Sequence, residues 1–177
     1  MKKSLILLTS LLLSMGCFAH QLSIERLSQN EIKECKTPRA VAYNFAKYVM
    51  NQNNVGVILL STPQFSAELE EWAQSAGVNS LKQLFTRDHM HDIVDMRPVV
   101  QMGYDIVISD SWILDLDEHF GRYGEPNPYK GCPGLSVSLT CADANNNIYD
   151  GTYGDYDVTA RILLVKYQGQ WKVFGFK

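Results

Sequence analysis

YDVTARILLVKYQGQWKVFGFK, residues 156–177, is the stretch whose pattern decides the fold. Val158, Ala160, Ile162 and Leu164 alternate with Thr159, Arg161, Leu163 and Val165, which is the period of a strand presenting one residue in two to each face. Gln168-Gly169 supplies a two-residue turn, and Trp171, Val173, Phe174 and Phe176 make an aromatic-rich return strand. The end of the chain therefore reads as a closed hairpin. Trp171 and Phe174 are the residues expected to anchor this sheet to a helix.

Working backwards, the period of two extends to residue 93. Residues 93–100, 104–108, 112–116 and 135–139 read as strands, with Trp112, Leu114 and Leu116 on one face and Ile113 and Asp115 on the other. Earlier still the period becomes helical. Thr37-Pro38 is a helix start, with a hydroxyl N-cap and proline at the first helical position. Val41, Ala42, Phe45, Tyr48 and Val49 then recur at helical spacing up to Met50, and the Asn-rich residues 51–54 stop the run. Two shorter helices are expected over 67–76, with Leu69, Trp72 and Ala73 inward, and over 80–87, with Leu81, Leu84 and Phe85 inward; Gly77 separates them. Helices first and strands afterwards predict an α+β domain over 37–177, its N-terminal helices packed on one face of an antiparallel sheet. Residues 20–36, polar with scattered Leu and Ile, read as an arm or short helix over that domain.

The first 19 residues read as an address. Lys2 and Lys3 precede an apolar run from 5 to 13, and Cys17-Phe18-Ala19 suits cleavage after Ala19, so the chain is expected to be periplasmic or secreted. Gly16-Cys17 also permits a lipoprotein anchored through Cys17. The apolar run falls well short of the roughly 20 residues a membrane-spanning helix needs. Loss of Lys2 and Lys3 takes the net charge from −3 to −5, which argues against a nucleic-acid partner, since phosphates call for a basic face. Three cysteines follow, Cys35, Cys132 and Cys141. In an oxidising compartment a Cys132–Cys141 disulfide is expected if residues 133–140 turn back on themselves; Cys35 with either is the competing pairing.

The Thr37-Pro38 opening with its helix to Met50, residues 55–65, and the closing hairpin with Gly169-Gln170-Trp171-Lys172-Val173 resemble the nuclear-transport-factor-2-like superfamily. That family shares a cone-shaped α+β fold with ketosteroid isomerase and with small exported bacterial proteins. The resemblance implies that the sheet is curved and encloses a pocket with the helices, used for acid-base chemistry by some members and for binding by others. No residue here matches the catalytic carboxylates of the isomerase type.

Several constellations invite a chemical reading. His89-Met90-His91-Asp92 has two imidazoles at a chelating spacing but no third ligand in register, and reads as a polar junction. His20 would be N-terminal after cleavage, as in a copper histidine brace, yet the many short strands of such enzymes are missing. Asp143-Ala144-Asn145-Asn146-Asn147 begins like a calcium loop, but Ile148 and Gly154 occupy the positions that need glycine and glutamate, leaving an Asn-rich turn. Asp115 and Asp117 read as surface acids on the solvated face of a strand. No Lys or Arg lies between Arg97 and Arg122 or between Lys130 and Arg161, whereas acids recur there, giving the sheet end a negative field. No cofactor is implied.

Residues 122–156 hold Tyr123, Tyr129, Tyr149, Tyr153 and Tyr156 among Gly, Pro and Asn, the economy of a binding loop with rigid rings on adaptable backbone. Tyr123, Tyr129, Tyr149 and Tyr153 are accordingly the candidate ligand contacts. The chain reads as an exported, non-enzymatic binding domain for a small molecule or a protein, and a homodimer is compatible with it. Two alternatives stand beside that reading. One is a small pocket enzyme of isomerase or hydrolase type relying on Asp105, Tyr104 or His119, and the other an inhibitor or immunity-type protein whose acidic sheet end faces a basic partner.

Overall fold

The structure, a computed structural model, describes residues 24–153 and 156–177. The expected signal peptide, the alternative of lipidation at Cys17 and the expected His20 terminus lie outside the described residues, as does the side chain of Tyr153. The chain is α+β. Helices α1 (Gln29–Glu34), α2 (Pro38–Met50), α3 (Asn54–Leu60), α4 (Pro63–Ser75), α5 (Leu81–Leu84), α6 (Arg87–Val94) and α7 (Met96–Gln101) precede the strands, apart from α8 (Leu116–Gly121), which interrupts them.

The starts of α1 to α4 and of α8 are written in side chains. Thr37 Oγ accepts from the Ala40 amide at the head of α2, and Thr62 Oγ accepts from Phe65 at the head of α4, each followed by proline at the first position. Ser28 and Glu31 form a reciprocal capping box on α1, so the arm of the sequence reading does carry a short helix. The buried stripe of α2 includes Val41, Ala42, Phe45 and Val49, as the spacing predicts.

Residues 93–100 correct the sequence reading: they are helical, not a strand. Ile93, Val94, Met96 and Val99 are all buried, in two short helices that meet at Asp95. Val94-Asp95-Met96-Arg97 alternates as a strand would, but Pro98 has no amide to give a ladder and fits the first turn of a helix, and here the helix wins.

Strands β1 (Asp105–Leu114), β2 (Gly134–Ala142), β5 (Thr159–Tyr167) and β6 (Gln170–Phe176) form an open antiparallel sheet in the order β1-β2-β5-β6. Strands β3 (Thr152–Tyr153) and β4 (Tyr156–Asp157) pair only with each other. The terminal hairpin is as read: Gln168 and Gly169 have φ of 49° and 81°, the left-handed pair of a type I′ turn. Val158, Ala160, Ile162 and Leu164 lie in the main core. Both outer edges are met by other backbone, β1 by Glu25 and β6 by Thr62, whose amide donates to Val173 at 2.8 Å. The strand expected over 112–116 stops at Leu114, because Asp115 caps α8 by accepting from the Glu118 amide at 3.0 Å. Asp115 and Asp117 therefore sit at a helix start, where acids suit the helix dipole, rather than on a strand face.

One face of the sheet carries the helices and the main core. Phe45, Val49, Leu69, Phe85, Met96, Leu139, Ile162 and Leu164 belong to it, all essentially without solvent contact. The other face carries a smaller cluster of Leu116, Phe120, Tyr129, Leu163, Val165 and Phe174 beneath α8. Two bulges decide what this second face receives. Ile108 pairs with Leu139 and Asp110 with Ser138, so Ser109 is the extra residue, and beyond it Trp112 lies opposite Ser136. Leu163 pairs with Gly175 and Leu164 with Val173, leaving Phe174 unpaired. A bulge breaks the alternation of two, so Phe174 turns to the second face although Val173 and Phe176 face the helices.

Two further expectations are corrected by this arrangement. Trp171 packs at the margin of the main core, but Phe174 does not anchor the sheet to α2; Phe176 does, its ring 6.5 Å from that of Phe45. The Cys132–Cys141 disulfide is not formed, and Cys35, Cys132 and Cys141 are all free thiols. Residues 134–142 do not turn back but run as the single strand β2; the seven steps from Gly134 to Cys141 span about 23 Å, and two further residues cannot bring Cys132 back within the roughly 7 Å limit for a disulfide. Cys132 borders the second cluster, whereas Cys141 is buried in the main core, where desolvation pushes its thiol up to about 12.

Candidate functional site

The second face of the sheet is only partly covered, and its structure begins with Gly134. A Cβ at this position would come within 2.7 Å of the Leu114 carbonyl and 2.8 Å of the Leu116 side chain. Glycine thus lets the start of α8 lie close on β2 and carries His119, Phe120 and Arg122 over β5 and β6. Tyr129 closes the cluster beneath them, its hydroxyl 2.7 Å from Thr62 Oγ, so one hydroxyl links the second cluster to the N-cap of α4.

Two cavities adjoin there. One, of about 220 Å³, is lined by His119, Phe120, Tyr123, Tyr129 and Phe174, with Glu68 among its polar residues. The other, of about 300 Å³, is lined by Trp112, Ser136, Arg161, Asp115, Glu118 and Arg122 among others. They share His119, Leu163 and Lys177 as a dividing wall.

The His119 ring is held edge-on by Phe120 at 5.3 Å, Tyr123 at 5.6 Å and Phe174 at 5.7 Å. Its pKa is lowered, first by burial and then by the Lys177 and Arg122 cations, with Glu125 opposing weakly, so the imidazole is neutral at neutral pH. Lys177 donates to the Tyr123 hydroxyl at 3.1 Å and lies over that ring at 5.7 Å. Across the wall, the Arg161 guanidinium lies 4.6 Å from the centre of the Trp112 ring. The Ser136 hydroxyl lines the second cavity with full burial and no hydrogen-bond partner. The acids are engaged locally: Asp115 caps α8, and Glu118 pairs with Arg122.

The tyrosines proposed from sequence are therefore divided. Tyr123, which is exposed, and Tyr129, which is buried, line the first cavity. Tyr149 lies at the far end of β2, donating its amide to Cys141 at 2.8 Å and packing its ring edge-on to Tyr104 at 5.3 Å. Among the alternative catalytic candidates, His119 is in the groove, while Asp105 pairs with Arg26 at 2.7 Å and Tyr104 packs beside the main core. His89 packs against Trp72, and His91 Nε2 is 3.0 Å from Asp92; among the described residues no group of three or more His, Cys, Asp or Glu is placed to hold a metal. Asp143 organises the Asn-rich turn, its carboxyl held below the usual range first by the Asn147 side chain, which donates at 2.9 Å, and then by the amides of Asn147 and Asn145 at 2.9 and 2.8 Å. Among the described residues no helix is long and apolar enough to cross a membrane.

Sequence reasoning missed Trp112, Ser136, Arg161, Lys177 and Phe174 as site residues. Their grouping depends on the two bulges, and neither Ser109 nor Phe174 carries a local signal for one. A further cavity, of about 380 Å³, lies where α2 and α7 end, lined by Lys47, Asn51, Gln52, Arg97 and Gln101. Lys47 sits in the last turn of α2, where a cation answers the helix dipole without any ligand. Comparison of the chain with known protein families, with characterised proteins and with solved structures found no match.

Proposed function

We propose that this chain is an exported, non-enzymatic binding domain of the cone-shaped α+β type, and that its ligand occupies the groove on the second face of the sheet. The observation carrying this reading is the ring of His119, Phe120, Tyr123, Tyr129 and Phe174 around a cavity of about 220 Å³, continued by a second cavity across a shared wall. Apolar rings with a few convergent polar groups suit a small amphipathic molecule. Helices packed ahead of an antiparallel sheet support the cone-shaped class, although the groove lies on the face away from the main core.

Binding is favoured over catalysis because His119 is positioned by aromatic edges, and the nearby Asp115 and Glu118 are occupied by a helix cap and by Arg122. A general base needs an orienting partner and a proton within reach. The inhibitor reading draws less support, since Asp105, Asp143 and Glu118 are held by Arg26, Asn147 and Arg122 instead of forming a free acidic surface. Native mass spectrometry of the protein isolated from the periplasm of its own host tests the proposal. A bound mass retained by the wild type and lost in the His119→Ala/Tyr123→Ala double variant, on a chain beginning at His20, is the expected result. Retention of the same mass by the double variant would remove the groove from consideration.

A further inference from the structure

The cavity on the Trp112 side of the wall has an arrangement of charge that folding alone does not favour. The amide of Lys177 donates to the Arg161 carbonyl at 2.8 Å, and the Arg161 amide donates to Lys177 at the same distance. The two residues are thus directly opposite across antiparallel strands, both lining the same cavity. Like charges so placed repel. Arg26, Arg39 and Arg122 each pair with a carboxylate, of Asp105, Glu25 and Glu118 respectively. Arg161 and Lys177 make no such pair among the described residues; Arg161 is held by the Trp112 ring and Lys177 by the Tyr123 hydroxyl. The same cavity is lined by Ser136, which lies between Trp112 and Leu163 in the sheet and whose hydroxyl is fully buried and without a partner, in a class of group that is normally satisfied. Two cations with no side-chain carboxylate partner among the described residues and an unused hydroxyl line one cavity, whose own acids Asp115 and Glu118 are taken up by the α8 cap and by Arg122.

We propose that this cavity is an anion subsite that seats the carboxylate head of an amphipathic organic acid between Arg161 and Lys177, with Ser136 as the floor. The apolar part of the acid then extends past His119 into the aromatic cavity of Tyr123 and Phe174. This inference rests on the groove reading and adds the chemical class of the ligand. Trp112 fixes the guanidinium from one side, so Arg161 meets the carboxylate already oriented, which reduces the ordering cost of binding. The exchange relieves the Arg161–Lys177 repulsion and gives charge-assisted hydrogen bonds to both cations.

Titration calorimetry at fixed ionic strength with 3-phenylpropanoate, its neutral amide 3-phenylpropanamide and inorganic phosphate tests the proposal. The acid should bind at least about ten-fold more tightly than the amide, the difference expected from charge-assisted hydrogen bonds, and more tightly than phosphate, which has no apolar part. Arg161→Gln and Lys177→Gln should each weaken acid binding and bring the acid-to-amide ratio toward one, while Ser136→Ala should weaken it less. Both cations are on the surface, and circular dichroism verifies that each variant is folded. Equal binding of acid and amide would overturn the anion subsite while leaving the groove standing. Phosphate as tight as the acid would reduce the subsite to a patch for adventitious anions and overturn it too. Absence of binding by any probe at millimolar concentration would refute the organic-acid proposal, whereas the groove itself fails if the natively bound mass survives the His119→Ala/Tyr123→Ala double variant or if the acid binds elsewhere on the molecule.

Discussion

On the helix side of the sheet, Phe45, Phe65 and Phe176 pack within 6.2 to 6.5 Å of one another in a continuous apolar core. On the other side, Phe120, Tyr129 and Phe174 are as closely spaced, at 5.5 to 6.0 Å, but they border open cavities with a neutral imidazole and two cations. The rings are alike; what surrounds them differs. Packing to high density fills the first face around Phe45, with Phe176 at its margin already bordering the groove, whereas the second face gives up that density along the groove. An aromatic cluster thus indicates a core or a site according to whether a full layer of helices covers it.

Substitutions on the two faces should separate these roles. Phe45→Ala, at the centre of the main core, should cost about 3 to 5 kcal/mol, enough to leave a domain of this size near its unfolding threshold. Phe174→Ala should cost about 3 kcal/mol, at the low end of that range because its neighbours already border a cavity, and it should also abolish ligand retention. Equilibrium urea denaturation measures both. Equal costs, with ligand binding intact in Phe174→Ala, would erase the distinction between the faces.

Smaller effects sharpen it. Tyr129→Phe removes the bond to Thr62 while keeping the ring, and should cost about 1 kcal/mol, since Thr62 still caps Phe65. His119 has its folded-state pKa below the unfolded value, so the unfolded chain takes up the proton first as pH falls. Its contribution is complete above the unfolded pKa, near 6.5, and is lost as pH drops through the folded one. Acidification from pH 7 to 5 should therefore destabilise the wild type more than His119→Gln, as thermal melts at each pH would reveal; identical profiles would place His119 in ordinary solvent. Ser136→Ala should leave the melting temperature unchanged or raise it slightly, because it removes a buried hydroxyl with no partner. A clear loss would mean that Ser136 is satisfied and not waiting for a ligand.

Much of the main core was legible in the sequence and little of the groove was. Val41, Phe45 and Val49 at helical spacing, and Val158, Ala160, Ile162 and Leu164 at strand spacing, announce the face they bury, because burial on a single side is what periodicity records. The run from Ile93 to Val99 misleads because Asp95 and Arg97 alternate with Val94 and Met96 as on a strand, and Asp115 because an N-cap and a strand acid look alike until the helix is seen. The groove depends on Ser109 and Phe174 interrupting the alternation and on Gly134 admitting Leu116, which are relations between strands and not patterns along one. Of the tyrosine cluster, Tyr123 and Tyr129 reach the groove, while Tyr149, equally prominent in composition, closes the other end of β2.

The central claim is that the ligand-binding face is the second face of the sheet, and a two-dimensional ¹H–¹⁵N titration of the folded protein with 3-phenylpropanoate tests it most directly. The account predicts saturable shifts in the Trp112 indole and in the amides of Ser136, His119, Tyr123, Arg161 and Phe174, with Phe45 and Leu164 in the main core unmoved. Saturable shifts confined to Lys47, Arg97 and Gln101 at the ends of α2 and α7 would contradict it, whereas the absence of any saturable shift would refute the organic-acid ligand alone.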